Sequence, residues 1–280
     1  MEEAIQNIKG AAPWLEIKTV RALIGGWDNR VFEVNGSYVV KIPRIPNGKL
    51  RKEACVMREL YEVGIAPRPV LYSSEPEVLI YEKVDGVTAA ELSDLKAMRE
   101  HSDEVASVLE LVHSSQVNCD IPRYDSQSWR GWIKQTYSTL ISRASSVLDP
   151  KVTVCVTDVL HRFLVDRSNF EFNAKFIHGD IDPRNLIVNQ MGNLLALIDW
   201  GEAMIGDPAL DYAGTFFDRV LGEAVLKTQR EEPPSEMLKR VMFYVTTVPL
   251  YKVVYGLEMN DFPMVEQGVT ELSKALEGFN

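Results

Sequence analysis

The stretch Phe176-Ile177-His178-Gly179-Asp180-Ile181-Asp182-Pro183-Arg184-Asn185-Leu186-Ile187-Val188, followed by Leu194-Leu195-Ala196-Leu197-Ile198-Asp199-Trp200-Gly201, decides how this chain is read. Residues 186–188 and 194–198 are short apolar runs flanking Asn189-Gln190-Met191-Gly192-Asn193, and they read as a hairpin. Symmetric pairing about Gly192 would set residue 188 against 196, 186 against 198, and Asn185 against Asp199. One amide and one carboxylate then stand side by side at the open end. Asp180 comes five residues before Asn185, on a loop that Gly179 and Pro183 keep from being helical. Two oxygen ligands at one point suit Mg²⁺, which completes its shell with phosphate and water. A separate carboxylate nearby can accept the proton of an attacking hydroxyl. This is the equipment of phosphoryl transfer, where catalysis is mainly positioning and charge neutralisation.

Taken singly, these residues have plainer readings. Asp182 before Pro183 is a turn former, and Asp207-Pro208 reads as a helix cap with proline at the first helical position. His178 reads as a hydrogen-bonder that fixes the loop, since the carboxylate two residues on is the better base. The joint spacing of Asp180, Asn185 and Asp199 is what makes the combination specific.

Composition narrows the remaining classes. The chain has 280 residues, with 30 basic against 40 acidic side chains and a net charge of -10. That length allows one large or two small domains. The acidic balance argues against a nucleic-acid partner, which needs a concentrated basic patch. Met1-Glu2-Glu3 lacks the basic and apolar regions of a secretory signal, so none is expected. The apolar run over 241–257 is interrupted by Lys252 and falls short of a membrane span. Cys55, Cys119 and Cys155 form no CxxC pair, which points to a reducing, cytoplasmic setting with the thiols as small buried apolar groups.

Residues 1–85 read as strands around one helix. Asn35-Gly36 between two β-rich runs signals a two-residue hairpin turn, and Leu50, Ala54, Met57 and Leu60 have helical spacing. Thr88 to Glu91 is a capping-box signature, which puts the boundary at 84/85. The fold class is α+β, with a β-rich lobe over 1–84 and a mostly helical lobe over 85–280 that contains the hairpin. Helices are expected over 89–95, 103–112, 129–148, 152–165, 208–224, 234–259 and 263–276, with Pro249 breaking the long one.

His178-Gly179-Asp180-x4-Asn185 and Ile198-Asp199-Trp200-Gly201 resemble the catalytic and metal loops of the kinase-like phosphotransferases. The segment from Gly201 through Gly206-Asp207-Pro208-Ala209-Leu210-Asp211-Tyr212-Ala213 is similar to that of the aminoglycoside phosphotransferase family. The resemblance implies a bilobal protein-kinase-like fold and a catalytic Asp180 that takes or orients the acceptor hydroxyl. It also implies Asn185 and Asp199 as Mg²⁺ ligands, Asp211 as a loop support, and ATP or GTP as co-substrate.

The first lobe offers the nucleotide side of such a site. With a two-residue turn, Phe32 opposes Val39 and Arg30 opposes Lys41, so Phe32, Val39 and Lys41 share one face, an apolar roof beside a cation. Glu53 falls on the inward stripe with Met57 and Leu60, where a carboxylate wants a partner, and Lys41 is the candidate. Gly25, Gly26 and Asn29 resemble the family's nucleotide loop, and Glu82 and Val84 resemble hinge positions that bind an adenine edge. Only Glu202-Ala203-Met204-Ile205 separate Gly201 from Gly206, leaving no room for a peptide-docking segment, so the acceptor is a small molecule. Glu202, Tyr251, Tyr255 and Glu258 are candidate acceptor contacts. An aminoglycoside-like cation suits the acidic chain. Macrolides, homoserine-, choline- or sugar-like alcohols, and a catalytically silent nucleotide-binding module, are the alternatives.

Overall fold

The computed structural model describes residues 1–23, 28–228 and 234–278. The chain opens with α1 (Glu2–Ala11), then β1 (Val20–Leu23), β2 (Asn29–Val34), β3 (Tyr38–Pro43), α2 (Lys49–Tyr61), β4 (Pro69–Ser74), β5 (Glu77–Glu82) and β6 (Val87–Thr88). It continues through α3 (Lys96–Glu100), α4 (Ser102–Ser114), α5 (Ser126–Ala144), α6 (Pro150–Val165), β7 (Lys175–Ile177), β8 (Leu186–Val188), β9 (Leu194–Leu197) and β10 (Met204–Gly206). Five helices close it: α7 (Ala209–Gly214), α8 (Arg219–Thr228), α9 (Pro234–Thr247), α10 (Pro249–Met259) and α11 (Phe262–Glu277). Two compact units result, Met1–Pro122 with His178–Met204, and Arg123–Ile177 with Ile205–Asn280. They are drawn differently from a cut at 84/85, because the β8–β9 hairpin and residues 85–122 group with the strands.

In the first unit, β1 to β5 form an antiparallel sheet in the order β1-β2-β3-β5-β4. Helix α1 was not expected, and together with the residues just after it this helix covers one face of the sheet. Ala4, Ile8, Ala12 and Leu15 pack with Phe32, Val34, Val40, Ile42, Val78 and Ile80, while Arg30 donates to both oxygens of Glu3 at 3.0 and 3.1 Å. On α2, Leu50, Glu53, Ala54, Met57 and Leu60 are all buried, so the inward stripe is as the spacing predicted. The register is not. Val34 pairs with Tyr38, leaving three residues in the turn, and Phe32 therefore opposes Val40 and Val31 opposes Lys41. A one-residue slip exchanges faces. Phe32 thus belongs to the α1 core, and only Val39 stays on the face of Lys41.

The cysteine expectation is also corrected. Cys55 on α2 and Cys119 form a disulfide with a Cα–Cα separation of 6.0 Å, and Cys155 is free and exposed. Their distance of 64 positions in sequence hides a proximity that only tertiary packing creates.

The second unit is built around aromatic rings. Phe163 and Phe243 stack at 3.8 Å between centroids, and Tyr137 meets Phe243 edge-on. The expected helix over 208–224 is interrupted by a 3₁₀ turn at Thr215–Phe217, and that over 89–95 is reduced to a 3₁₀ turn at Ala89–Glu91 behind an intact Thr88–Glu91 capping box. Pro249 splits the long helix into α9 and α10. The side chain of Asp207 accepts from Ala209 N–H at the start of α7 and also receives Arg240 Nε at 2.9 and 3.1 Å and Tyr244 O–H at 2.9 Å. Trp129 Nε1 in turn donates to the Tyr244 hydroxyl at 2.9 Å.

Asp207 and Arg240 are buried, so removing one partner strands the other's charge. Asp207→Ala should lower the unfolding free energy by about 3–5 kcal/mol in urea denaturation, and adding Arg240→Met should recover part of that loss.

Candidate active site

The site lies within the first unit. Gly179 has a φ of +80°, and a Cβ there would come within 2.6 Å of the Glu202 carbonyl oxygen, so the loop requires glycine. His178 is fully buried against Trp200. Its Nδ1 accepts from Asp180 N–H at 3.2 Å, which makes Nε2 the donor to the Ile198 carbonyl at 3.0 Å. His178 thus ties the Asp180 loop to the strand leading into Asp199, the loop-fixing role its position predicted. Asp182 is engaged locally, accepting from the backbone and guanidinium of Arg184.

The β8–β9 hairpin brings Asn185 and Asp199 to one end, but in a different register from the symmetric one. Leu186 pairs with Leu197 and Ile187 with Ala196, and a bulge then sets Val188 against Leu194. Leu195 is the extra residue, and it is exposed. Asn185 accepts from Ile198 N–H through its carbonyl, so it opposes Ile198, with Asp199 one position beyond in a left-handed conformation at φ +66°. The Asn185 amide nitrogen donates to the Asp180 carbonyl at 2.9 Å and to Asp180 Oδ2 at 3.0 Å. Its side-chain oxygen is therefore the end suited to a cation. An amide oxygen and a carboxylate are a hard-donor set that fits Mg²⁺.

Lys41 completes the constellation. Its Nζ lies 2.7 Å from Glu53 Oε1 and 3.0 Å from Asp199 Oδ1, with the lysine and Glu53 almost wholly buried. Burial alone would lower the lysine's pKa, but Asp199 and Glu53 outweigh it and hold the ammonium well above its ordinary range. Burial would likewise raise Asp199, yet Lys41 keeps that carboxylate below its usual value. Asp180 has no such partner. The surrounding protein, followed by the charges of Asp199, Asp182 and Glu202, pushes its carboxyl up to about 7, although its outer face is open to water and screened there.

The remaining expected residues are distributed as follows. Gly25 and Gly26 lie outside the described residues. Asn29 opens β2, and Val39 is buried on β3 two residues from Lys41. Glu82 ends β5, gives its amide to the Arg68 carbonyl and pairs its side chain with Arg68 at 2.8 Å, and Val84 follows in the linker. Glu202 accepts from Lys49 Nζ at 2.6 Å, and the same ammonium reaches Asp28 at 2.8 Å. Lys49 escaped the sequence reading, although it stands one helical turn before Glu53, where a cation beside that carboxylate was the available signal. Tyr251, Tyr255 and Glu258 belong to the second unit. Tyr251 meets Tyr137 edge-on, and Glu258 pairs with Arg143 at 2.5 Å.

A carboxyl whose folded pKa is raised costs stability above its unfolded value, and the cost grows as pH rises from about 4 towards 7. Asp180→Asn should therefore melt at a higher temperature than the parent at pH 8, with the difference shrinking to nothing near pH 4. Equal melting temperatures across that range would show that Asp180 is an ordinary solvated carboxylate.

Comparison with known proteins bears on the family and the fold. The model of the phosphotransferase enzyme family matches residues 19–234. Hygromycin-B 4-O-kinase of Escherichia coli is 25% identical over 248 residues, which cover 82% of this chain and 72% of that protein. Among solved structures, the GDP and kanamycin complex of APH(2")-IIIa superposes with a TM-score of 0.83 at 20% identity, covering 99% of each chain. Macrolide 2'-phosphotransferase type I gives 0.73 at 18% identity, covering 97% of this chain and 96% of that one. At such identities the structural likeness speaks for the fold. With three-quarters of its length inside the family model, this chain belongs to the phosphotransferase enzyme family.

Proposed function

We propose that this phosphotransferase moves the γ-phosphoryl group of ATP or GTP to a hydroxyl of a small polycationic molecule of the aminoglycoside type. The observation that carries the reading is the Lys41 ammonium held between Glu53 and Asp199, on the same unit as the Asp180–Asn185 contact. Lys41 supplies fixed positive charge for the phosphates, and Val39 lies beside the base. A hinge at Glu82 and Val84 would offer the Glu82 carbonyl, since its amide is taken. Gly25, Gly26 and Asn29 are assigned to the nucleotide loop.

Asn185 and Asp199 would hold Mg²⁺, which offsets phosphate charge in such reactions. Asp180 accepts the acceptor's hydroxyl proton as the oxygen bonds to the γ-phosphorus and the bond to the β-phosphate oxygen breaks. A carboxylate with a raised pKa holds that proton better than an ordinary one.

The acceptor assignment rests on two supports. Hygromycin-B 4-O-kinase is the relative matched over most of the chain, and the short Gly201-to-Gly206 connection has no peptide-docking segment. Glu202 is the nearest acceptor carboxylate to the metal pair in sequence, and Tyr251, Tyr255 and Glu258 are assigned to the same role. The likeness to a macrolide phosphotransferase keeps a macrolide as the second candidate. We place the enzyme in the cytoplasm, where nucleoside triphosphates are kept; no helix among the described residues is long and apolar enough to cross a membrane.

Asp180→Asn should leave nucleotide affinity nearly intact while lowering kcat by about 10²–10⁴-fold. Unchanged turnover would remove Asp180 from the mechanism. EDTA should abolish transfer and Mg²⁺ restore it, with Asp199→Ala more damaging than Asn185→Ala, because only the carboxylate neutralises charge. Incubation with ATP and a panel of aminoglycosides, macrolides and small alcohols, read by mass spectrometry, identifies the acceptor. A polycation should show KM rising with salt at nearly constant kcat. Phosphorylation of proteins with no small molecule modified would overturn the proposal.

A further inference from the structure

The Cys55–Cys119 disulfide joins the middle of α2 to the extended segment that follows α4. Cys55 stands two residues after Glu53, on the helix that presents the partner of Lys41. Cys119 is buried and Cys55 is half-buried, which makes Cys55 the more accessible of the two residues. Glu59, one turn beyond Cys55, accepts from Asn118 N–H at 2.9 and 3.2 Å and lies 3.6 Å from Cys119 Sγ. Val117 and Ile121, two residues to either side of Cys119 in the chain, are buried. The segment is therefore seated by apolar and hydrogen-bonded contacts as well as by the covalent bond, and opening the bond leaves it anchored.

This location sits uneasily with the setting the proposed function implies, and the inference rests on that reading. An enzyme consuming nucleoside triphosphates works in a thiol-rich compartment, where the disulfides that do occur are usually transient or redox-sensing rather than permanent braces. We propose that Cys55–Cys119 is a reversible thiol–disulfide exchange site for a dithiol reductant, and that its state sets how firmly α2 holds Glu53 against Lys41. A thiolate of the dithiol attacks Cys55 Sγ, the S–S bond breaks, and Cys119 leaves as a thiolate that takes up a proton. The Glu59 carboxylate favours that protonated form, since a thiol can donate to it and a thiolate is repelled. The second thiolate of the reductant then attacks the mixed disulfide and releases Cys55, which is protonated in turn. The protein gains two electrons and two protons, and the dithiol becomes its own disulfide.

The test uses the full chain carrying Cys155→Ser, which removes the exposed third thiol, in oxidised form and after dithiothreitol without denaturant. After the reductant is removed, N-ethylmaleimide added together with denaturant, read by mass spectrometry, should find two alkylated cysteines in protein that stayed folded during reduction. Amide hydrogen exchange over 53–60 should be faster in that protein, and Mg·ATP should bind roughly fivefold more weakly. Cys55→Ser with Cys119→Ser should reproduce the reduced behaviour and ignore the reductant. A disulfide that resists dithiothreitol until the protein unfolds would overturn the proposal. So would a reduced protein whose α2 amides exchange no faster than before. If neither form binds nucleotide, the functional reading fails, and the alkylation and exchange measurements still decide this inference on their own.

Discussion

The ammonium of Lys41, buried between two carboxylates, is the constraint to which the first unit is built. β3 delivers the lysine, α2 delivers Glu53 and the β8–β9 hairpin delivers Asp199, so three distant segments must arrive together before all three charges are partnered. A buried charge without its partner costs several kcal/mol, and that cost enforces the joint arrival. Two carboxylates around one ammonium also leave a surplus negative charge. Under the proposed function a divalent cation would offset that surplus, whereas a second fixed lysine would quench it.

Much of this was legible because it is local. The alternation that puts Val39 and Lys41 on one face needs only a strand, and the stripe that puts Glu53 inward needs only a helix. The spacing of Asp180, Asn185 and Asp199 needs only a loop and a hairpin. Cross-strand register is different, since it depends on how many residues the turn consumes. Three rather than two at Asn35-Gly36-Ser37 sent Phe32 to the other face, and the bulge at Leu195 moved Asp199 one position past its expected opposite. Both errors are single-residue slips that composition cannot foresee.

Other features were hidden for other reasons. Ala4, Ile8 and Ala12 repeat every four residues, so the signal for α1 was present but short and weakly apolar. The partnership of Cys55 with Cys119 and that of Asp207 with Arg240 are tertiary. Each member looks ordinary in its own neighbourhood, Asp207 as a helix cap and Cys55 as a small inward residue. Asp207 does serve that local role, and the distant guanidinium uses the same oxygens.

The family match begins at residue 19, yet six apolar side chains of the sheet are covered by residues before it. At the other end the match stops at residue 234, short of Arg240 and Tyr244, which neutralise and hydrogen-bond a carboxylate inside it. The stretch the family model matches is therefore smaller than the stretch whose side chains close these two cores. A polypeptide trimmed to the shared boundaries would present a bare apolar sheet face and an orphaned interior anion, two routes to aggregation. The family match spans the candidate site, while the limits of a foldable piece are written in side chains that the match leaves out.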